Sequence, residues 1–172
     1  MQVFAETDRL ILRALLPEDV EGMFRLDSDP DVHRYLGKQP VQNIHQSGDM
    51  IANIRQQYSD FGIARWAVIE KGTGEFVGWS GLKLVTEARN NHTNFYDIGY
   101  RLIKDYWGKG YATESALAAL TYGFNVLNLP IIYGMADIEN VASNKVLQKI
   151  GLQFVETFDL DGTLHNWYEL KK

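Results

Sequence analysis

Asp97-Ile98-Gly99-Tyr100-Arg101-Leu102-Ile103-Lys104-Asp105-Tyr106-Trp107-Gly108-Lys109-Gly110-Tyr111-Ala112-Thr113-Glu114 is the passage that most constrains this chain. It reads as a strand, a tight glycine loop and the first turn of a long helix. In that order, unpaired backbone N–H groups and the positive end of a helix dipole gather at the loop. They make a seat for an anion, most naturally phosphate. Gly108 and Gly110 leave no side chains in the way of a close ligand. The donors are the N–H groups of Gly108, Lys109, Gly110, Tyr111, Ala112 and Thr113. In the helix beyond, Leu117, Leu120, Phe124 and Leu127 recur three or four apart, so one face is apolar.

Working outward, Leu10–Ala14 reads as a short edge strand, and Glu18–Asp27 and Gly48–Phe61 as helices. Trp66–Glu70 and Phe76–Leu84 are strands joined by the turn signal Lys71-Gly72-Thr73-Gly74-Glu75. Thr86–Thr93 is polar and reads as a loop before the central strand Phe95–Leu102. After the helix Ala112–Leu127 come a strand, Ile131–Ala136, and a short helix, Val141–Ile150. Asn140 stands where an N-cap belongs and Gly151 where a C′ glycine belongs. Gln153–Leu160 and Leu164–Leu170 flank Asp161-Gly162, a hairpin signal. The order β-α-α-β-β-β-α-β-α-β-β predicts an α/β domain spanning 1–172. Its core is a mixed, mostly antiparallel sheet of about seven strands with helices on both faces.

The letters of the glycine loop exclude two phosphate binders. No Gly-Lys-Ser/Thr follows, so it is not a P-loop, and Thr113 stands where the dinucleotide fingerprint needs a third glycine. What remains resembles the pyrophosphate loop of the GNAT superfamily of N-acetyltransferases, Gln/Arg-x-x-Gly-x-Gly/Ala. Trp107 in place of the usual first residue is a familiar departure in the RimJ/RimL-like branch, where Trp-Gly-x-Gly-Tyr/Ile-Ala-Thr-Glu is common. Glu6-Thr7-Asp8-Arg9-Leu10-Ile11-Leu12-Arg13 resembles the opening strand of RimL-like proteins, and Ser28-Asp29-Pro30-Asp31-Val32 their next turn. Phe76-Val77-Gly78-Trp79-Ser80-Gly81-Leu82 resembles the family's third strand. Asn140-Val141-Ala142-Ser143-Asn144 through Gly151-Leu152 resembles its Asn-x-x-Ser…Gly-Phe segment.

Composition narrows the partners. Apolar residues make up 45% of the chain and charged residues 23%, as in ordinary globular domains. A net charge of −5 with no basic run argues against nucleic acid. There is no cysteine, which excludes disulfides, thiol catalysis and cysteine metal sites. His33, His45, His92 and His165 lack metal-ligand spacing and read as scattered surface histidines, so no metal is expected. No signal peptide or membrane-length apolar run is seen, and the expected compartment is the cytoplasm. The final hairpin could pair with a second copy as a homodimer.

The resemblance implies an acetyl-CoA-dependent N-acetyltransferase acting on a primary amine, either a protein N-terminus or a small molecule. The main chain of Tyr100, Arg101 and Leu102 would pair with the pantetheine arm like an added strand, which requires an open strand edge. Gly99 would serve as a bulge or as a place of close approach, or would simply pack. Asn140 and Asn144 would contact the pantetheine arm. Asp97 is the candidate base, at a place where RimL-like proteins often carry an acid; Glu139 is the alternative. Ser143 is the candidate donor to the leaving sulfur, because the tyrosine many relatives use falls at Leu147 here. Asn140 and Ser143 could also do no more than cap the helix. Acceptor contacts are expected from Tyr35–Tyr58, Thr86–Asn94 and Asp159–His165, with His33, Tyr35, Trp66 and Trp79 as candidate lining and the two tryptophans as core. Tyr133 reads as core. The competing reading is a coenzyme-A-binding sensor without catalysis.

Overall fold

The computed structural model describes residues 1–172. Along the chain run β1 (Val3–Glu6), β2 (Leu10–Arg13), α1 (Val20–Asp27), α2 (Ile44–Phe61), β3 (Trp66–Glu70) and β4 (Phe76–Val85). Then come β5 (Phe95–Leu102), α3 (Tyr111–Asn125), β6 (Ile131–Asp137), α4 (Val141–Lys149), β7 (Gln153–Leu160) and β8 (Thr163–Lys171). All eight strands join one sheet in the order β1-β2-β3-β4-β5-β6-β8-β7. Every neighbouring pair is antiparallel except β5 with β6. The expected mixed sheet is present, with one strand more than expected. No helix is long and apolar enough to cross a membrane.

The extra strand is β1, and it moves the edge. Leu10–Arg13 is covered by β1 on one side and β3 on the other, and Leu10 and Leu12 are fully buried. What recruits β1 is aromatic packing. Phe4 stacks on Trp66 at 4.9 Å and meets the edge of Tyr122 at 5.8 Å. Such pairs contribute about 0.5–1.5 kcal/mol each beyond area burial. The second helix also begins earlier than the expected Gly48, because Asn43 and Gln46 form a reciprocal capping box. The predicted turns hold. Asp161 and Gly162 both have positive φ, 51° and 89°, which suits a two-residue hairpin between β7 and β8.

Strand alternation sorts side chains onto two faces. Leu82, Ile98, Ile132 and Gly134 face α3 and α4. A Cβ at Gly123 of α3 would meet Leu82 and Ile132, and one at Gly134 would meet Leu147 of α4. On the opposite face lie Trp79, Asp97, Gly99 and Arg101 in register, with α1 joined to Arg101 through Asp27, and Gly22 of α1 packs on Phe76 of β4. Helices thus cover both faces; the main apolar core joins the sheet to all four helices, and a smaller cluster gathers Val85, Phe95, Phe158 and Trp167.

Gly78 sits where β4 crosses the end of β5. Its φ is +148°, and a Cβ there would lie 2.2 Å from the Arg101 carbonyl oxygen and 2.9 Å from Leu102 Cα. Backbone cannot rotate away as a side chain can. Gly78→Ala is therefore expected to lower unfolding free energy by about 3 kcal/mol or more, read as a drop in the urea midpoint.

Candidate functional site

Parallel β5 and β6 share a single registered pair, Asp97 with Tyr133. β5 is otherwise paired with β4 along its whole length, and β6 with β8. Beyond Asp97 the two strands part, so β5 from Ile98 to Leu102 has a ladder on one side only. This is the open edge that an extended ligand would need. The Leu102 carbonyl already accepts from the Trp107 indole Nε1 at 2.9 Å, which pins the glycine loop to the strand end. Trp107 itself is exposed, whereas Tyr106 is buried.

The glycine loop has the conformation that its letters suggested. Gly108 and Gly110 are left-handed, with φ of 74° and 81°, and α3 starts at Tyr111 with no side-chain cap. The first helical bond runs from Glu114 N–H to the Gly110 carbonyl, so the donors before it point out of the helix end unclaimed. Lys109 lies over the Tyr106 ring at 5.2 Å. A clamp that no local pattern revealed holds this loop. The Arg9 guanidinium donates to the Lys109 carbonyl at 2.8 Å and to Glu114 Oε2 at 2.7 Å, and it lies 4.6 Å over the Tyr111 ring. Thr7 Oγ1 also donates to Glu114 at 2.6 Å. Thr7, Asp8, Gly110, Thr113, Glu114, Leu117 and Lys149 line an open cavity of about 580 Å³ beside the loop.

On the α1 face, Asp97 is buried under Arg65. Arg65 Nη2 donates to Asp97 Oδ2 at 2.5 Å, and Nη1 donates to the carbonyls of Asp97 (2.8 Å) and Gly81 (2.5 Å). Asp97 Oδ1 is buried without a partner. Burial pushes the Asp97 carboxyl above its ordinary value, against the opposing pull of Arg65. Gly99 is not a bulge. The β4–β5 register passes through it unbroken, and a Cβ there would lie 2.7 Å from the Arg65 guanidinium. Next along β5, Arg101 donates to Asp27 at 2.6 Å. Asp27, fully buried, also meets His33 Nε2 at 3.1 Å. His33 is therefore a buried partner of Asp27 and not a surface histidine. Trp79 lies between the two arginines, 5.3 Å from Arg65 and 5.0 Å from Arg101. Trp66 is core, as expected.

Across the parting, Asn140 caps α4 by accepting from Ser143 N–H at 3.2 Å. The Tyr100 hydroxyl donates to the Ser143 carbonyl at 3.0 Å and lies 3.1 Å from Ser143 Oγ, bridging β5 to α4. Asn144 has no capacity left for a ligand. Its Nδ2 donates to the carbonyls of Asp137 and Asn140, and its Oδ1 accepts from Asn166 and the Tyr168 hydroxyl. That side chain ties α4 to β6 and β8. Leu147 is a core residue against Gly134. Tyr133 is only half-buried, packed on His92 (5.0 Å) and Trp167 (5.1 Å). No group of three or more His, Cys, Asp or Glu residues is placed to hold a metal ion.

Residues 9–153 match the family model described as an acetyltransferase (GNAT) domain. The chain is 33% identical over 148 residues to YoaA, an uncharacterized N-acetyltransferase of Bacillus subtilis, covering 86% of this chain and 81% of that protein. It is 29% identical over 160 residues to the spermidine N(1)-acetyltransferase of Escherichia coli, covering 90% and 81%. Among solved structures, RimL, a ribosomal α-N-protein acetyltransferase in complex with coenzyme A, superposes with a TM-score of 0.82 at 18% identity, over 99% of this chain and 98% of that one.

The loop can be tested by itself. At Gly110 the left-handed backbone costs a side chain about 1–2 kcal/mol, and the Cβ would lie 3.4 Å from Arg9. Gly110→Val is expected to weaken coenzyme A binding at least about tenfold by calorimetry, the equivalent of about 1.4 kcal/mol. Unchanged affinity in a folded variant would remove the loop as the phosphate seat.

Proposed function

Because the chain belongs to the GNAT acetyltransferase family and is an N-acetyltransferase, we propose that it moves an acetyl group from acetyl-CoA directly to a primary amine. The observation that carries this reading is the meeting, at one end of β5, of an uncapped helix terminus with an unpaired strand edge. The first suits a pyrophosphate, through the N–H groups from Gly108 to Thr113. The second suits an extended amide-bearing arm, through the main chain of Tyr100 and Arg101. Leu102 offers less, since its carbonyl is engaged. Asn140 and Asn144 shape the α4 side, with Asn144 acting as a strut.

The reaction needs a neutral amine. At pH 7 a lysine-type amine costs roughly 4.6 kcal/mol to deprotonate and an α-amine roughly 1–1.4 kcal/mol. Asp97 takes that proton, directly or through one water. The nitrogen lone pair attacks the thioester carbonyl carbon. The carbon–sulfur bond then breaks, and its electron pair stays on sulfur. Ser143 Oγ gives the sulfur a proton and recovers one from the nitrogen of the new amide. The products are the N-acetyl amine and the free thiol of coenzyme A, with one proton released from the original ammonium. No covalent acyl-enzyme is needed. The acceptor is a protein N-terminus or a small-molecule amine; the related proteins are named for both kinds.

The deciding experiment is thiol release from acetyl-CoA with a panel of N-terminal peptides, spermidine and simple monoamines. Acceptor-dependent release supports transfer. Tight coenzyme A binding with no release on any acceptor would turn the reading toward a sensor. Burial holds the Asp97 carboxyl above the usual range, so activity is expected to fall as pH drops through that raised value. Asp97→Asn should flatten this acid limb and leave coenzyme A affinity intact. Ser143→Ala should lower kcat by about 10²-fold with little change in KM for acetyl-CoA, since only the departing thiolate loses its donor.

A further inference from the structure

Arg65 immediately precedes β3, far in sequence from the proposed base, and its side chain, only 12% exposed, lies against β5. Three hydrogen bonds define its pose: one to the Asp97 side chain, one to the Asp97 carbonyl and one to the Gly81 carbonyl. The two carbonyl bonds fix the guanidinium plane independently of the carboxylate. The carboxylate is then held by one oxygen, Oδ2, while Oδ1 has no protein partner. The guanidinium occupies the volume that a side chain at position 99 would need. Its own backbone is also pinned, because the Tyr58 hydroxyl of α2 donates to the Arg65 carbonyl at 2.5 Å.

We infer that Arg65 is a positioning residue for acetyl transfer: it orients the Asp97 carboxylate and leaves Oδ1 as the one oxygen able to take the amine's proton, in a slot that exists only because residue 99 is glycine. The inference rests on Asp97 as the base. Other charged and titratable groups surround that carboxylate without bonding to it. Lys83 is its register partner on β4, Tyr133 its partner on β6, and Arg89 acts on it from the loop before β5. Arg101, further along β5, is occupied by Asp27. Arg65 alone both bonds the carboxylate and neutralises it at contact distance, so Arg65 sets its charge and its direction.

The two effects separate experimentally. Profiles of kcat/KM against pH would be measured for the unaltered enzyme and for Arg65→Lys, Arg65→Gln, Gly99→Ala and Asp97→Asn, with one amine acceptor and with coenzyme A affinity followed in parallel. Arg65→Gln should move the acid limb up by about one pH unit or more, a loss of about tenfold on that limb, because burial then acts unopposed. Arg65→Lys keeps the charge and should recover part of the shift. Gly99→Ala keeps both residues but evicts the guanidinium, so it should move the limb in the same direction, with coenzyme A affinity unchanged. An unmoved limb in folded Arg65→Gln and Gly99→Ala, alongside a flattened one in Asp97→Asn, would overturn the role of Arg65 and leave Asp97 as base. An unmoved limb in Asp97→Asn would overturn the base assignment, and the role of Arg65 with it.

Discussion

Two strands that run the same way, meet at Asp97 and Tyr133 and then part create a problem of unsatisfied backbone. Each residue of a strand carries a donor and an acceptor that must find partners. On the β5 side of the parting, that demand is left standing over the last part of the strand. The molecule keeps the gap from closing by bracing it. Tyr100 spans from β5 to the first turn of α4. Asn144 fastens α4 to β6 and β8. The glycine loop is sewn to the end of β5 through Trp107 and to the β1–β2 turn through Arg9. Read together, these contacts hold open a cleft that a closed sheet would have healed.

The two faces of β5 do different work. Toward α3 and α4 the strand is a floor of apolar packing, with Ile98 buried among Gly134 and its neighbours. Toward α1 it carries two ion pairs, Arg65 with Asp97 and Arg101 with Asp27, separated by the indole of Trp79. Several polar atoms on that face are buried and unbonded, among them Asp97 Oδ1, Arg101 Nε and Asp27 Oδ2. Orphaned atoms of this kind are expensive in an interior unless water or a ligand completes them. They concentrate on the α1 face of β5, around the two ion pairs.

Local signals carried much of this. The glycine loop, the helix after it, the Asn140 cap and the Asp161-Gly162 hairpin are all set by neighbours in sequence, and each has the geometry its residues predict. β1 is not legible because Val3-Phe4-Ala5-Glu6 shows no alternation, and it is Phe4 meeting Trp66 that recruits it to the sheet. The start of α2 was legible in Asn43 and Gln46 but was masked by Gly48. The site is less legible in the sequence. Arg9 with Glu114, Arg65 with Asp97 and Arg101 with Asp27 are pairs far apart in the chain, and no spacing rule joins them. Gly99 stands out in the sequence only as a glycine, and its reason lies in the guanidinium beside it. His33 looked like one polar residue among many until the fold placed it on Asp27.

Asn144 shows how narrow such a design can be. Its amide presents two protons to two carbonyls and two lone pairs to two donors, with nothing to spare. Exchange of the amide nitrogen for a single oxygen, as in aspartate, would aim a negative charge at two carbonyl oxygens in the joint that keeps α4 in place. The joint between α4, β6 and β8 thus relies on an intact side-chain amide, and the enclosure of that amide within a helix, half-buried and fully hydrogen-bonded, also shields it from hydrolysis.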